Sequence, residues 1–294
     1  MKEGRHLIYA ICNPIAGSGR GKIIGEIIEK ILNEKKLAYI IAMTERPGHA
    51  TELAREACSM HAETILAIGG DGTSLEVARG MVGRDSALGI IPAGTGNDFV
   101  KTLGVPLQPI AALEYILDHP AKNTDVGEIN GDIFLNEIGT GIDVSVLDYA
   151  AKAKKTFRGI LPYLYGVVMT MFHFHSISLT YSIDGGEKIT MDAFVLSAAN
   201  GGKIGGGIPI APQAKVDDGK LDVAIVGKIK STKLISRLIG LMRGKILSFP
   251  ETQYYRAKSV TFTVPEMRVN IDGEIVREKT VTARVLPGAL KIHR

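Results

Sequence analysis

The tightest constraint on this chain is an alternation near its start. Short apolar runs take turns with amphipathic segments, and glycine-rich turns follow the runs. Residues 7–12 form the first run. Ile23, Ile24, Ile27, Ile28, Ile31 and Leu32 then recur at three- and four-residue spacing, which predicts one apolar face of a helix. Runs at 39–44, 64–68 and 88–91 follow, separated by a predicted helix at 50–58 and another carrying Leu75, Ala78, Met81 and Val82. A strand–helix–strand–helix order predicts a doubly wound parallel sheet with its ligand crevice at the carboxyl ends of the strands.

The pattern changes near Asn123. Strand-like runs separated by turn residues appear at 133–135, 177–183, 193–199, 221–226, 260–264, 269–271 and 281–286. Helical interruptions are expected at 148–172 and 232–242. This predicts a second, mainly antiparallel β-sandwich domain with inserted helices. The expected division is an α/β nucleotide-binding domain over 1–127 and a β-rich substrate domain over 128–284, with about 285–294 as a candidate return to the first.

Composition sets outer limits. At 45% hydrophobic, a chain of 294 residues has ample material for packed interiors. A formal charge of +4 is a mild bias toward anionic partners such as phosphates or lipid headgroups, and is no nucleic-acid-binding tail. Two cysteines, Cys12 and Cys58, cannot make a disulfide framework and fit a reducing cytosol, with both expected in the core. The early Asn13-Pro14 argues against a signal peptide. The longest uncharged apolar stretch, 159–172, is shorter than the roughly 20 residues of a spanning helix, so any membrane contact is expected to be peripheral.

Three glycine-rich turns carry the chemistry of the first domain. Asn13-Pro14-Ile15-Ala16-Gly17-Ser18-Gly19-Arg20-Gly21-Lys22 brings main-chain N–H groups near an anion and adds two cations, without the Gly-Lys-Ser/Thr ending of a Walker A loop. Gly69-Gly70-Asp71-Gly72-Thr73 sets a carboxylate between glycines just after a strand. That placement suits an acid orienting Mg²⁺ or its waters beside phosphates; a tight turn with a helix-capping Asp or Thr explains it too. Gly94-Thr95-Gly96-Asn97-Asp98-Phe99 repeats the theme, with Asn97 or Asp98 as a candidate helix cap.

Together with Pro212, Asp217-Asp218-Gly219-Lys220-Leu221 and Asp272-Gly273-Glu274, these motifs resemble the diacylglycerol kinase catalytic family in family order along nearly the whole chain. That family includes bacterial lipid kinases and the sphingosine and ceramide kinases. The resemblance implies an ATP-dependent lipid kinase, moving the γ-phosphate to a lipid hydroxyl. It implies a nucleotide site from Asn13, Pro14 and Gly17, Thr44, Gly69, Gly70, Asp71, Gly72 and Thr73, Thr95 and Asn97. It further implies a structural Mg²⁺ on Asp218 with the carbonyls of Lys215 and Lys220, and a carboxylate and water network through Asp71, Asp98 and Asp125. Glu274 would be the general base, with Asp272 beside it. The protein would work in the cytoplasm, transiently at the inner face of the membrane.

Read without the resemblance, Asp217-Asp218-Gly219 and Asp272-Gly273 are also ordinary turns between strands. His173-Phe174-His175 lacks a third ligand at suitable spacing, and a structural role is expected. Lys152, Lys154, Lys155 and Arg158 before the 159–172 stretch read equally as a basic collar for an anionic leaflet or the charged start of a core helix. For 232–242, ordinary packing is expected. The alternatives to a lipid kinase are an NAD kinase, whose substrate-binding pair Asn136-Glu137 resembles, and a non-catalytic nucleotide- or lipid-binding module. A homodimer through an exposed strand edge stays open.

Overall fold

The computed structural model describes residues 6–153, 156–157, 161–173 and 176–294, the side chains of 171–173 excepted. The chain forms two compact units, Met1–Asp125 with Gly288–Arg294, and Val126–Pro287. The first contains β1 (Leu7–Cys12), α1 (Ala16–Glu34), β2 (Ala38–Met43), α2 (His49–Ser59), β3 (Thr64–Gly69), α3 (Asp71–Met81), β4 (Ala87–Pro92), α4 (Asp98–Leu103) and α5 (Pro109–Asp118). Strand β5 (Ala121–Ile129) leads into β6 (Asp132–Phe134), β7 (Glu137–Gly141), α6 (Ile142–Ala153), α7 (Leu161–His173), β8 (Ile177–Ile183), β9 (Ile189–Ala199), β10 (Leu221–Gly227) and α8 (Leu234–Met242). Then come β11 (Thr252–Ala257), β12 (Ser259–Thr263), β13 (Arg268–Ile271), β14 (Glu274–Arg277) and β15 (Thr280–His293), whose end belongs to the first unit.

In the first unit β2, β1, β3 and β4 lie side by side in parallel, and Lys291 and Ile292 of β15 pair with β4. Every residue of β3 and β4 is buried, as expected of parallel strands covered on both faces. Helix α1 turns a narrower face inward than its isoleucines suggest. Ile24, Ile28 and Leu32 are buried together with Gly21 and Gly25, while Ile23 and Ile27 are exposed. The reason is close approach: a Cβ at Gly25 would come within 2.8 Å of Cys12 Sγ, so the glycine side of the helix seats on the strand. Cys12 is buried, but Cys58 is only partly so, because Ala50, Leu53, Ala54 and Ala57 fill the inner face of α2.

The second unit is built on β9. Its first half pairs with β8 and its second half with β7, while β10 runs antiparallel along the other side. Beyond these, β12 joins β8 to β15, and β13 joins β7 to β14. Alternate residues of β9 and β10 feed two cores: Leu196, Val223 and Ile225 into one, Val195, Ala224 and Val226 into the other. Burial on both faces explains why these strands read as unbroken apolar runs.

The single helix expected over 148–172 is two helices, α6 and α7, and a Cβ at Gly166 of α7 would collide with the Val146 carbonyl of α6. Phe174, His175, Lys154, Lys155, Arg158 and Gly159 lie outside the described residues, as does the side chain of His173. Helix α8 departs from ordinary packing, since none of its residues is buried. No helix among the described residues is long and apolar enough to cross a membrane.

Candidate active site

The glycine-rich turns of the first unit follow the carboxyl ends of β1, β3 and β4 and touch one another. Gly17, Ser18 and Gly19 are all left-handed, with φ of 57°, 62° and 95°, before α1 becomes regular. Ser18 shows that the conformation alone tolerates a side chain. Gly17 has a second requirement, since a Cβ there would overlap the Ala93 carbonyl oxygen. The second and third turns also meet without side chains between them: a Cβ on Gly70 would lie 3.1 Å from Gly94 Cα. Asn13 fastens the first turn to the second by donating from Nδ2 to Thr73 Oγ1 at 3.0 Å. Thr44, at the end of β2, donates its N–H to the Cys12 carbonyl at 2.9 Å. Thr95 and Gly72 are exposed beside these contacts.

Asp71 is the first residue of α3, and Gly70 ahead of it makes no side-chain cap. The capping expected of Asp71 is therefore directed to another helix. Its Oδ1 accepts the Phe99 N–H of α4 at 3.1 Å. Asn97 does not cap α4 either: it closes its own turn, accepting from Gly94 N at 3.1 Å and donating to Gly94 O at 3.0 Å. Burial raises the Asp71 pKa, as does the neighbouring Asp98 carboxylate, and the main-chain N–H groups of Phe99, Asp98 and Asn97 oppose both. Asp98 is buried, with Lys101 Nζ 3.4 Å from Oδ1. A divalent cation or phosphate-bound Mg²⁺ beside this pair would relieve their mutual repulsion. Asp125 has a different partner, accepting the N–H of Gly288 at 2.7 Å, where the last strand re-enters the unit.

In the second unit β13 and β14 form a two-residue hairpin. Its turn residues Asp272 and Gly273 have φ of 47° and 94°, which the Asp-Gly pair accommodates. The Asp272 carboxylate accepts three main-chain N–H groups, from Leu135 at 2.6 Å and from Asn136 and Glu137 at 2.8 Å each. Asn270 Oδ1 accepts Gly273 N–H at 2.8 Å. The turn is thus held at its base, and Glu274 begins β14 exposed to solvent.

Behind the hairpin is a buried polar group that the sequence did not announce. Glu137, 2% exposed, accepts from Ser197 Oγ and from Asn270 Nδ2, and Asn270 also donates to Asp143 at 3.3 Å. Asp143 Oδ1 is buried with no hydrogen-bond partner among the described residues. Its pKa is raised to about 6, by desolvation first, with the Val144 N–H and the Asn270 amide opposing. These residues meet only because β7 lies between β9 and β13, a pairing no local motif encodes.

The turn before β10 places Lys215, Asp218 and Lys220 in sequence. Asp218 Oδ1 accepts the Lys220 N–H at 3.1 Å, and Oδ2 pairs with Arg256 of β11. Arg256 also lies 3.7 Å from Asp222, a wholly buried acid that accepts from Tyr254 OH and whose Oδ2 has no partner among the described residues. No cage of three or more Asp, Glu, His or Cys side chains occurs among the described residues. The set nonetheless fits Mg²⁺ by donor type, since that ion takes one or two carboxylates with carbonyl oxygens and water.

Comparison with known proteins bears on this arrangement. A family model described as the diacylglycerol kinase catalytic domain matches residues 8–129, and one described as the YegS C-terminal NAD kinase beta sandwich-like domain matches 136–294. A Bacillus subtilis protein named diacylglycerol kinase is 32% identical over 286 residues, covering 93% of this chain and 90% of that one. A Pseudomonas aeruginosa protein named "Probable lipid kinase YegS-like" is 33% identical over 258 residues, or 86% and 83% of the two chains. A crystal structure described as a diacylglycerol kinase from Bacillus anthracis superposes with a TM-score of 0.77 at 27% identity, covering 99% of this chain and 98% of that one. An Archaeoglobus fulgidus NAD kinase, solved with ATP, shares the fold at a TM-score of 0.54 and 13% identity, with 98% and 93% covered.

Proposed function

The chain belongs to the diacylglycerol kinase catalytic domain family, and from that premise we propose that it transfers the γ-phosphate of ATP to the free hydroxyl of a diacylglycerol-like lipid, giving a phosphatidate-type product. The observation that carries the proposal is the convergence of three glycine turns around Asp71 and Asp98 in the first unit. Gly17, Gly70 and Gly94 let the three turns pack backbone to backbone, Gly72 and Thr95 are left exposed where a triphosphate would lie, and the start of α3 favours negative charge. The two acids would face the Mg²⁺ that travels with the nucleotide.

Glu274 is the proposed general base, taking the proton of the lipid hydroxyl as it attacks. Its exposure at a hairpin tip leaves the carboxylate accessible, as a proton acceptor requires. Asp272 is a positioning residue, its carboxylate engaged with three main-chain donors. Asp218, with the carbonyls of Lys215 and Lys220, would hold a structural Mg²⁺, which when bound supplies fixed positive charge to that turn. Catalysis rests on positioning and charge neutralisation rather than covalent chemistry.

The NAD kinase reading draws on Asn136-Glu137, but burial of both residues argues against their presenting hydroxyl acceptors to a soluble dinucleotide. The direct test gives the purified protein labelled ATP with dispersed diacylglycerol in one tube and NAD in another. Label is expected in the lipid alone. Label in NADP alone would overturn the proposal.

A further inference from the structure

Residues 228–245 contain Lys228, Lys230, Lys233, Arg237, Arg243 and Lys245, and no acidic residue occurs anywhere in 223–250. Arg237 is turned inward. It donates to Glu251 through Nε at 3.0 Å and Nη2 at 3.1 Å, and its guanidinium lies 5.0 Å from the centre of the Phe249 ring. With Leu241 leaning on the core beneath, this strut fixes which side of α8 faces the protein. The opposite side presents Ile235, Ile239 and Met242, one and two turns apart, at 66%, 45% and 60% exposure. The other five basic residues are exposed, with Lys233 and Arg243 at the two ends of α8. Arg243 and Lys245 also line an open groove of about 360 Å³ together with the Ser236 and Ser248 side chains.

We propose that α8 and its basic flanks form a docking face for an anionic phospholipid surface, separate from the residues that handle nucleotide and acceptor. An amphipathic helix with outward aliphatic residues among lysines and arginines lies in the plane of a bilayer, its apolar side at the headgroup–acyl boundary. Each basic residue near an anionic leaflet strengthens attachment by roughly fivefold. The same acid-free charge argues against a second copy of the chain as occupant. A two-fold contact sets a patch against itself, which here would bring five cations onto five. The proposal rests on the lipid kinase reading for its biological sense, but its test needs neither ATP nor turnover.

The test is co-sedimentation of the full chain with phosphatidylcholine vesicles, with and without phosphatidylglycerol. Binding is expected only with the anionic lipid, weakening as salt rises. Ile239→Asp should lower partitioning at least about tenfold, and the pair Lys228→Gln and Lys230→Gln about 25-fold, each with the parent's melting temperature because these positions are exposed. Inorganic phosphate should not displace the protein. Partitioning unchanged in these variants, equal binding to neutral vesicles, or full displacement by phosphate would each overturn the proposal. So would an Ile239→Asp variant that turns a dimer into a monomer while still binding vesicles. A parent that docks through α8 yet phosphorylates no lipid would leave docking intact and remove the kinase reading instead.

Discussion

Asp272→Asn separates holding a base from being one. Asn tolerates the left-handed turn that Asp272 occupies, so the backbone is unperturbed. Oδ1 can still accept from Asn136 and Glu137, but the new NH₂ would face the Leu135 N–H, a donor 2.6 Å from a donor. Leu135 is buried and cannot turn to water instead. One charge-assisted bond is lost, at about 1.5–3 kcal/mol, and two weaken to neutral ones, for a total near 3 kcal/mol. In a unit the size of Val126–Pro287 this lowers the melting temperature by roughly 6–12 °C. The chain has no tryptophan, so far-ultraviolet circular dichroism is the suitable probe. The turnover number should fall with it while nucleotide affinity in the first unit holds. A variant that melts like the parent but has lost all turnover would show that Asp272 acts in the chemistry and that the positioning role is wrong.

Gly17→Ala should cost about 2–4 kcal/mol and weaken ATP binding, combining left-handed strain with the Ala93 overlap, whereas Gly19→Ala, with open space around its Cβ position, should cost only about 1 kcal/mol. Equal urea midpoints for the two variants would remove the close-approach argument. Asp143 has a folded pKa raised from 3.8 to about 6, so the native state keeps a proton that the unfolded chain has released, and this residue's contribution to stability falls as pH rises through that window. Asp143→Asn should therefore stabilise the protein at pH 7.5, by at most about 3 kcal/mol, and give no gain at pH 4. Melting curves at the two values check the sign, and an equal effect at both would point to packing rather than charge.

Much of the first unit was legible because strand, turn and helix each leave a local mark there. The runs at 64–68 and 88–91 differ from β3 and β4 only at their ends. The helix face of α1 was misread because only its aliphatic residues were counted, whereas Gly21 and Gly25 are what seat that helix on the sheet. In the second unit β7, β11 and β14 were missed. Glu137–Gly141 is glycine-interrupted, Thr252–Ala257 holds two adjacent tyrosines among polar residues with no aliphatic run, and Glu274–Arg277 is a short strand bounded by charge. Their pairing partners, not their own residues, make them strands. The same holds for polar groups. The glycine turns could be read from sequence, but the hold of Asp272 on residues 135–137 and the Glu137–Ser197–Asn270 cluster depend on segments far apart in the chain. The outward face of α8 was misjudged because a three-four apolar pattern says that a helix is amphipathic, not what covers it.

Glu274→Gln offers the sharpest single measurement. The substitution keeps shape and removes proton-accepting charge at an exposed position, so folding and ATP binding should match the parent. Initial rates of label transfer from ATP to dispersed diacylglycerol, at saturating nucleotide, should drop on the order of 10²–10⁴-fold, the usual contribution of a general base. A purified Glu274→Gln protein that phosphorylates lipid at the parent's rate would mean that some other group takes the hydroxyl proton.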